Sequence, residues 1–373
     1  MSIATRSRLV SVQTTSERGG AEYANVDLLR ALAKRGHDVV LMTNVPEIAA
    51  GTGVRVREID LGPKLNRRSA ERVALEAPKT LLRLALGLRT ERPVGTLLLH
   101  FKKEQLLCSL LPRRLTGRIA WAEWGPVPPP LRRGPGRWLY ALAAQRAQRI
   151  MAISEGTRRT VVGAGVARQK VDVVPNLIDV DAVGFEAQSR RRLRQDWGVD
   201  DDVLVIGCIS RFQRRKRNDV AIDAMAHVSG DSLLVLAGEG EEEESLRKRA
   251  ARHGERVRFF PNVRGQVEAF LSACDLFVFT PSPTEGAPRA IVMAQLVGVP
   301  VISTDAPGAD ELIPPGGGVI TSPAHDPHAL AAAITAYKDP ERRRREGEVG
   351  RIAALERHDP ERTLDMVEAI LGL

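Results

Sequence analysis

The chain has 373 residues, of which 43% are hydrophobic and 27% are charged, a composition typical of a soluble globular protein large enough for two domains. Its three cysteines are far apart and show neither paired nor metal-ligand spacing, which argues against a disulfide framework or a zinc site. The sequence contains no apolar run of about 18 residues that would span a membrane. The N-terminus lacks the apolar core of a signal peptide, so we expect a cytoplasmic protein.

The net charge of the chain is +9, and the basic surplus lies in its first half. Such a half would suit an anionic lipid surface, a phosphorylated substrate or simply a solvated face. Nucleic acid is the weakest candidate partner, because aromatic residues make up only 4% of the chain and no nucleic-acid-binding motif is present. The leucine-rich segment 81–88, with Arg83 and Arg89, is either a core or interdomain helix or a peripheral contact with an anionic membrane.

Short β-branched runs alternate with helical patterns along the whole chain. In the first half, strands are predicted at 8–13, 38–43, 54–59, 95–99, 118–121, 149–153 and 171–174, with helices at 20–35 and after the capping residue Ser154. Residues 180–200 are charged and polar and are interpreted as a connector. Strands then follow at 203–209, 233–237, 257–260, 276–280 and 299–304, separated by helices at 216–227, 242–252, 267–274 and 288–297. A last amphipathic helix begins at Pro360.

This alternation predicts parallel sheets joined by right-handed crossovers. Two such series predict an α/β fold of two doubly wound, Rossmann-like domains facing a central cleft. We place these domains at residues 1–180 and 181–356, followed by a C-terminal helix at 357–373. The sequence Gly238-Glu239-Gly240 follows a strand, but it lacks the spacing of a dinucleotide-binding loop and is followed by glutamates, so we interpret it as a turn.

The segment that begins at Glu285 is the most informative part of the sequence. A turn of Gly286, Ala287 and Pro288 opens an apolar helix, and a Gly-x-Pro-Val sequence ending at Val301 closes that helix into a strand. Glu285 and the backbone N–H groups of the first helical turn then lie beside the carboxyl end of a strand. This is where an open α/β sheet binds a phosphorylated ligand.

A basic pair points to the same edge of the second sheet. Arg211 follows a buried strand, and Lys216 comes five residues later at the start of a predicted helix. Arginine binds phosphate oxygens in a bidentate manner and lysine acts as a point charge, so the pair suits a diphosphate. A basic surface loop is the alternative interpretation. The Glu285 turn, predicted in the same sheet, favours the diphosphate site instead.

Together these segments resemble the retaining glycosyltransferases of family 4, the group 1 transferases, which have the GT-B fold. The resemblance extends over almost the whole chain. It also rests on shorter motifs in the family's order: Gly19-Gly20-Ala21-Glu22, Ile153-Ser154-Glu155, Val174-Pro175-Asn176-x-x-Asp179, Phe260-Pro261-Asn262-Val263 and Asp305-Ala306-Pro307-Gly308-Ala309-Asp310-Glu311. Leu177 takes the place of a glycine that is usual in the third of these motifs.

The resemblance implies that the second domain binds a nucleotide sugar. Arg211 and Lys216 would stabilise the departing diphosphate, together with the helix into which Gly286, Ala287 and Pro288 lead. Glu285 would bind hydroxyls of the donor sugar. Val263 falls where the family's backbone contacts the nucleobase, and Gly20 would allow the N-terminal loop to approach the sugar and phosphate closely.

The resemblance also implies the reaction and its other participants. The first domain would bind a hydroxyl acceptor, which is a glycan, a glycolipid or a natural-product intermediate. Transfer would proceed on one face of the sugar with retention, without a protein nucleophile, a metal ion or another cofactor. The C-terminal helix would pack back toward the first domain. The oligomeric state stays open.

Two departures from the family bear on this interpretation. The family carries a second glutamate eight positions after the first, which binds the nucleotide ribose, and here that position is Met293. A thioether is a weak acceptor, so we expect the ribose contact to be lost or supplied elsewhere, unless Met293 simply packs in the core. This departure predicts either a donor that differs from the family's usual ones or reduced catalysis.

The other departure concerns the first domain. Trp124 stands where the family commonly has a histidine near the donor sugar. Glu123 or Trp124, with Gly19, would then line the sugar or acceptor pocket, and His100 is the remaining polar candidate for the catalytic role unless it is a loop residue without a role. Lys102 and Lys103 would meet a charged acceptor or be plain solvated lysines, and the second is the commoner case.

Two other functions stay open. A sugar-nucleotide epimerase has the same architecture, but it needs acid–base groups that the sequence does not reveal. A non-catalytic binding subunit that partners an active transferase is favoured by Met293, Trp124 and Leu177. The retained Arg211 and Glu285 favour the enzyme instead.

Overall fold

The computed structural model describes residues 8–14, 20–63, 65, 69–261, 263, 265–282, 285–306 and 308–373. The chain divides into two compact units, the first comprising Met1–Ile178 with Pro360–Leu373 and the second Asp179–Asp359. Each unit is built on a parallel sheet, so the predicted fold class of two doubly wound α/β domains is confirmed. Within these described ranges, no helix has the length and apolar character needed to cross a membrane.

The first sheet is built of apolar strands and lies in the core of its unit. Its strands are β1 (Arg8–Gln13), β2 (Val39–Thr43), β3 (Arg55–Glu58), β4 (Val94–Leu99), β5 (Arg118–Glu123), β6 (Arg149–Ala152) and β7 (Val171–Val173). They are ordered β3-β2-β1-β4-β5-β6-β7. The central strands are buried along nearly their whole length, as in parallel sheets covered on both faces. The order changes direction between β1 and β4, so the loops after these strands meet at a topological switch point.

Helices cover both faces of this sheet. They are α1 (Gly20–Lys34), α2 (Ala70–Leu75), α3 (Ala77–Thr90), α4 (Lys102–Cys108), α5 (Arg113–Thr116), α6 (Gly134–Ala144) and α7 (Glu155–Gly163). On one face, Leu84 of α3 and Tyr140 of α6 pack in a single core with Val10 and Leu97 of the sheet. The cap predicted for α7 is confirmed, since the Ser154 side chain accepts a hydrogen bond from the Thr157 N–H.

The opposite face is covered by α1 and by the last helix of the chain, Pro360–Leu371. Leu364, Val367 and Leu371 of that helix are buried in the same core as Leu29 of α1. The Thr96 hydroxyl also donates a hydrogen bond of 2.9 Å to the Leu371 carbonyl oxygen. The amphipathic helix predicted at the C-terminus therefore forms, and its apolar stripe explains where it binds.

The second sheet contains β8 (Leu204–Ile209), β9 (Ser232–Ala237), β10 (Val257–Phe260), β11 (Leu276–Phe279), β12 (Val301–Thr304) and β13 (Gly318–Thr321), in the order β10-β9-β8-β11-β12-β13. Its helices are α8 (Ala187–Asp196), α9 (Asn218–Ala224), α10 (Glu243–Ala250), α11 (Val267–Ala273), α12 (Arg289–Val297), α13 (Ala309–Leu312), α14 (Pro327–Ala336) and α15 (Pro340–Arg357). The last helix of the chain is α16. The switch point of this sheet lies between β8 and β11.

The interpretation of residues 180–200 as a connector is wrong. This range contains α8, which packs against α11. Arg190 and Arg194 of α8 form ion pairs with Asp275 at 2.8 and 3.0 Å, and the Arg194 side chain is buried. Two arginines of the supposed connector thus help to pack α8 against the sheet, because Asp275, directly before β11, neutralises them.

Candidate functional site

The candidate site of the second unit lies at the switch point of its sheet. The loops that follow β8 and β11 are joined there by hydrogen bonds. The Ser282 N–H donates to the Arg215 carbonyl oxygen at 2.8 Å, and the Thr280 hydroxyl donates to the Arg217 carbonyl oxygen at 2.9 Å. Because parallel strands bring their carboxyl ends to one edge, the two predicted halves of the site meet at this edge.

The Glu285 carboxylate is the centre of the cluster. Lys216 Nζ lies 2.9 Å from Glu285 Oε1, and each of the two side chains is 12% exposed. Arg215 donates from Nη1 to the same oxygen. The Lys216 ammonium also lies over the Phe279 ring, 5.3 Å from its centroid. The structure thus brings together Lys216 and Glu285, as the sequence indicated, and adds Arg215.

Burial decides the protonation behaviour of Lys216. Desolvation lowers the pKa of its ammonium, while the Glu285 carboxylate acts in the opposite direction. The guanidinium groups of Arg215 and Arg211 lower this pKa further. Arg211 follows β8 at the same edge of the sheet, so three cations and the Glu285 carboxylate belong to this site.

The backbone around Lys216 differs in detail from the prediction. Lys216 does not open a helix but ends a short 3₁₀ turn, Arg214–Lys216, and α9 begins at Asn218. The intervening Arg217 has a φ of 50°, a left-handed conformation that is uncommon for a residue with a side chain. A bidentate contact between the Arg217 guanidinium and the Asp219 carboxylate, at 3.0 Å, offsets part of this strain.

Glycines hold the loop that carries Arg211. The predicted turn at Gly238-Glu239-Gly240 is confirmed, and it packs directly on this loop. A Cβ atom at Gly238 would lie 1.9 Å from the Ser210 carbonyl oxygen. The Phe212 N–H donates to the Glu239 carbonyl oxygen at 2.8 Å. The turn therefore supports the loop that carries Arg211 and fixes where this loop leaves β8.

The turn of Gly286, Ala287 and Pro288 leads into α12 as predicted, with Pro288 as the residue before the helix. Gly308 packs against this turn, because a Cβ atom at Gly308 would lie only 1.8 Å from the Gly286 carbonyl oxygen. The φ of 86° at Gly308 also favours glycine. The segment after β12 thus fixes the N-terminus of α12 beside Glu285.

Met293 is not enclosed in the core of α12. Ile291, Val292 and Ala294 are buried, whereas Met293 is only half-buried. Met293 lies one helical turn after Arg289, which is also half-buried. Met293 is therefore partly exposed, unlike its neighbours in the helix, and core packing alone does not describe it.

Two further residues were predicted to bind the donor, one in each unit. Val263 is buried, and its carbonyl oxygen accepts a hydrogen bond from the Gln266 N–H at 2.8 Å. Gly20 is the exposed first residue of α1, and a Cβ atom there would meet nothing within 4 Å. Gly19 lies outside the described residues.

His100 lies at the switch point of the first sheet, directly after β4, and both of its ring nitrogens have protein partners. Trp124 Nε1 donates to His100 Nδ1 at 2.9 Å, and His100 Nε2 lies 2.9 Å from the Ser11 hydroxyl. Because Nδ1 accepts, the proton of the neutral ring is on Nε2. Burial lowers the pKa of His100 to about 3, so the imidazole stays neutral near neutral pH.

Glu123 belongs to a buried polar network at the end of β5. Its carboxylate accepts hydrogen bonds from Tyr140 Oη at 2.8 Å, from Gln105 Nε2 at 3.1 Å and from the Lys102 ammonium. Glu123 is 3% exposed and Tyr140 is fully buried. The carboxylate proposed for a sugar pocket is therefore satisfied by side chains of its own unit.

The expectation that Lys102 and Lys103 are solvated is wrong. Lys102 pairs with Glu123, as described above. Lys103 is 2% exposed, and its ammonium donates to the carbonyl oxygens of Leu61, Gly62 and Pro63 at 3.1, 3.0 and 2.9 Å. Burial lowers the pKa of both ammonium groups. Each lysine fixes a loop of the first unit, a role that neighbouring residues in the sequence do not reveal.

The arrangement in the second unit defines a class of site. Lys216, Arg215 and Arg211 supply positive charge beside the N-terminus of α12, and Glu285 supplies an acceptor for hydroxyl groups. A ligand that carries both a phosphate group and hydroxyl groups matches this set. Two Rossmann-like sheets with such a site at one switch point define a protein of the GT-B class.

Comparison with known families agrees with this assignment. The model for Glycosyltransferase Family 4 matches residues 18–182, and the model for Glycosyl transferases group 1 matches residues 189–352. Between them, the two models account for most of both units. The chain belongs to the group 1 glycosyltransferases, and the predicted family and GT-B fold are confirmed.

Several curated proteins are similar in sequence. A GDP-mannose-dependent monoacylated alpha-(1-6)-phosphatidylinositol monomannoside mannosyltransferase of Corynebacterium glutamicum is 29% identical over 53% of this chain and 55% of its own length. The chain thus spans about half the length of this relative. A D-inositol 3-phosphate glycosyltransferase of Xylanimonas cellulosilytica is 25% identical over 92% of this chain and 89% of its own length.

Solved structures share the fold. HepE of Anabaena in complex with UDP-glucose has a TM-score of 0.82 at 21% identity, covering 98% of this chain and 99% of that one. Sucrose-phosphate synthase of Thermosynechococcus elongatus has a TM-score of 0.82 at 18% identity, covering 98% of each chain. At this level of identity the likeness concerns the fold alone.

Proposed function

We propose that the protein is a retaining glycosyltransferase that moves a sugar from a nucleoside-diphosphate sugar to a hydroxyl acceptor. The observation that carries this proposal is the contact of Lys216 with Glu285 at the switch point of the second sheet, beside the N-terminus of α12. Residues 181–356 would bind the donor, and residues 1–180 would bind the acceptor. Family membership supports this division of roles.

The charges of the site suggest how the bond to the donor sugar breaks. As the diphosphate departs, negative charge develops near Arg211 and Lys216, and these cations with the N-terminus of α12 stabilise it. They supply the counter-charge that a divalent cation would otherwise provide, so we propose a metal-independent reaction. The acceptor oxygen bonds to the anomeric carbon on the face from which the diphosphate leaves, and its proton passes to the departing phosphate, which gives retention.

Glu285 changes partners in this scheme. Without a ligand, Lys216 and Arg215 both contact Glu285 Oε1. When a donor binds, its diphosphate attracts the Lys216 ammonium, and Arg215 remains beside Glu285 as its partner. The carboxylate is then available to accept hydrogen bonds from the sugar hydroxyls.

The relatives suggest which substrates to test first. The Corynebacterium protein is named for GDP-mannose and a phosphatidylinositol mannoside, and a relative from Streptomyces kanamyceticus is named a 2-deoxystreptamine glucosyltransferase. We therefore propose GDP-mannose with a glycolipid acceptor as the first pair, and a UDP-sugar with an aminocyclitol as the second.

Calorimetric titration with GDP and UDP tests the proposal. We expect one nucleoside diphosphate to bind the folded protein, and Arg211→Ala to weaken this binding by roughly tenfold or more because a phosphate contact is lost. Arg214→Ala is the matched control, since Arg214 is exposed in the same loop and should leave binding unchanged. A folded protein that binds neither nucleotide, nor the corresponding sugars, would refute the transferase.

Met293 supports a second candidate, a non-catalytic subunit that binds a nucleotide sugar without transferring it. Met293 is half-buried on α12, where the family's ribose-binding glutamate would lie. Binding of a nucleotide sugar without transfer to any acceptor, and without hydrolysis, would favour this candidate over the enzyme.

Restoring the glutamate at this position is expected to strengthen donor binding. A hydrogen bond to a charged acceptor contributes about 1.5–3 kcal/mol, so Met293→Glu should lower the Kd of the nucleoside diphosphate at least about tenfold. Met293→Leu, which keeps an apolar side chain, is the control and should leave the Kd near that of the natural protein. Unchanged or weaker binding by Met293→Glu would show that the ribose does not lie beside this residue.

A further inference from the structure

The surface formed by residues 102–148 of the first unit carries one sign of charge. The structure describes this range completely, and every exposed charged side chain in it is an arginine: Arg113, Arg114, Arg118, Arg132, Arg133 and Arg137. The acidic residues of the range, Glu104 and Glu123, are both buried. No exposed carboxylate in this range therefore neutralises the arginines.

Large apolar side chains are exposed on the same surface. Trp138 and Leu142 lie one turn apart on α6 and are 65% and 46% exposed, and Leu139 beside them is 50% exposed. Leu110 is 71% exposed. One turn beyond Leu142, Arg146 donates hydrogen bonds to the Ser109 and Leu111 carbonyl oxygens at 3.2 and 2.8 Å. These bonds hold Leu110 beside the end of α6, so the four side chains form one surface, the α6 patch.

The side chains of the α6 patch do not pack in the core of the first unit. Tyr140, Ala143 and Ala144 form the opposite side of α6 and are buried against the sheet. The helix is therefore apolar on both sides, although only one side is covered by its own unit. A helix with two apolar sides normally has a second partner, and an exposed apolar cluster of this kind marks an interaction surface.

We propose that the α6 patch binds the surface of an anionic membrane, with Trp138 and the leucines inserted among the lipid headgroups and the arginines on the lipid phosphates. Tryptophan prefers the membrane interface, and basic residues beside apolar ones are the pattern of interfacial helices. A second copy of the chain is a poor occupant, because two such surfaces would bring like charges together. Nucleic acid would leave the leucines without apolar partners.

The leucine-rich segment of α3 has an exposed apolar side as well. Leu82 and Leu86 are 60% and 52% exposed, while Leu84 and Leu88 on the other side of the helix are buried. The helices α3 and α6 both pack against α4, so they cover the same face of the sheet. Arg89 is also exposed, whereas Arg83 lies 3.7 Å from the Asp60 carboxylate. The segment 81–88 is thus a core helix on one side, and its other side is exposed and apolar with partly neutralised charge.

Co-sedimentation with vesicles tests this proposal without any substrate, so its outcome is independent of the transferase activity. We expect the protein to bind vesicles of phosphatidylcholine with phosphatidylglycerol, and to bind much less to phosphatidylcholine alone or at high salt. Each arginine near an anionic surface contributes a factor of about five, so the double variant Arg132→Ser/Arg133→Ser should bind about 25-fold more weakly. Trp138→Ser/Leu142→Ser should lose about tenfold or more.

The control is Ile352→Ser on α15 of the second unit, which is 49% exposed and should bind vesicles like the natural protein. A fluorescence measurement adds a direct readout, because Trp121 and Trp197 are buried and Trp138 is highly exposed. We expect a blue shift on adding anionic vesicles that Trp138→Phe abolishes while sedimentation persists. Equal binding to neutral vesicles, equal loss in the Ile352 variant, or binding to a soluble polyanion such as heparin but not to vesicles would overturn the proposal.

Discussion

Replacement of Lys216 by alanine is expected to lower kcat for sugar transfer by about 10²–10³-fold, the effect of removing one preorganised charge-stabilising donor. The Lys216 ammonium lies 2.9 Å from Glu285 Oε1 and over the Phe279 ring, so it is already held at the site and has only to turn from the carboxylate to the diphosphate when the donor binds. Glu285 keeps Arg215 as a partner in this variant, which should preserve the fold. Steady-state kinetics with circular dichroism of the same samples would measure both effects.

The charge of Lys216 provides a second test of its role. Because burial lowers the pKa of this lysine, its ammonium is lost at a lower pH than that of an exposed lysine. Donor binding and kcat should therefore fall as the pH rises through this lowered pKa. Lys216→Arg keeps its positive charge throughout this range, so its alkaline decline should be much flatter. An identical alkaline decline in both proteins would contradict the assignment, as would a loss of kcat in Arg214→Ala equal to that in Lys216→Ala.

The convergence of Lys216 and Glu285 was predictable from the sequence because of a simple geometric rule. Each residue follows a buried, β-branched run, and parallel strands place their carboxyl ends at one edge. The contribution of Arg215 was not predictable. Residues 214–217 are all basic, and the left-handed conformation of Arg217 is part of the backbone geometry that decides which side chain meets Glu285.

The first unit shows why sequence patterns are less informative for buried polar groups. Lys102 and Glu123 are 21 positions apart, and each alone resembles a surface residue. Their pairing depends on α4 lying over the end of β5, which no local pattern encodes. The same holds for Arg194 in α8. Its partner Asp275 lies between α11 and β11, several elements later in the chain. Lys102 was predicted to be solvated and residues 180–200 to be a connector, although the fold uses the charges of Lys102 and Arg194 for packing.

Removal of the Glu123 carboxylate is expected to have the largest effect on stability. Glu123→Ala would leave the Lys102 ammonium, the Tyr140 hydroxyl and a Gln105 N–H without their shared acceptor. Breaking a buried ion pair by removing one partner costs about 3–5 kcal/mol, and we expect a loss of this size in the free energy of unfolding of the first unit. Urea unfolding followed by tryptophan fluorescence reports on this unit, because the Trp121 ring lies 5.4 Å from that of Tyr140.

A double variant separates the charge of Glu123 from its other roles. Lys102→Met/Glu123→Gln removes both charges and leaves an amide oxygen for Tyr140, so it should be more stable than Glu123→Ala by a clear margin. Equal urea midpoints for the two variants, or no loss of stability in Glu123→Ala, would contradict a structural ion pair.

The activity per folded molecule decides whether Glu123 also contacts the sugar. We expect Glu123→Gln to keep kcat near the natural value, because the carboxylate is already saturated by Lys102, Gln105 and Tyr140 and lies only 3% exposed. A large fall in kcat at unchanged stability would instead place Glu123 on the substrate.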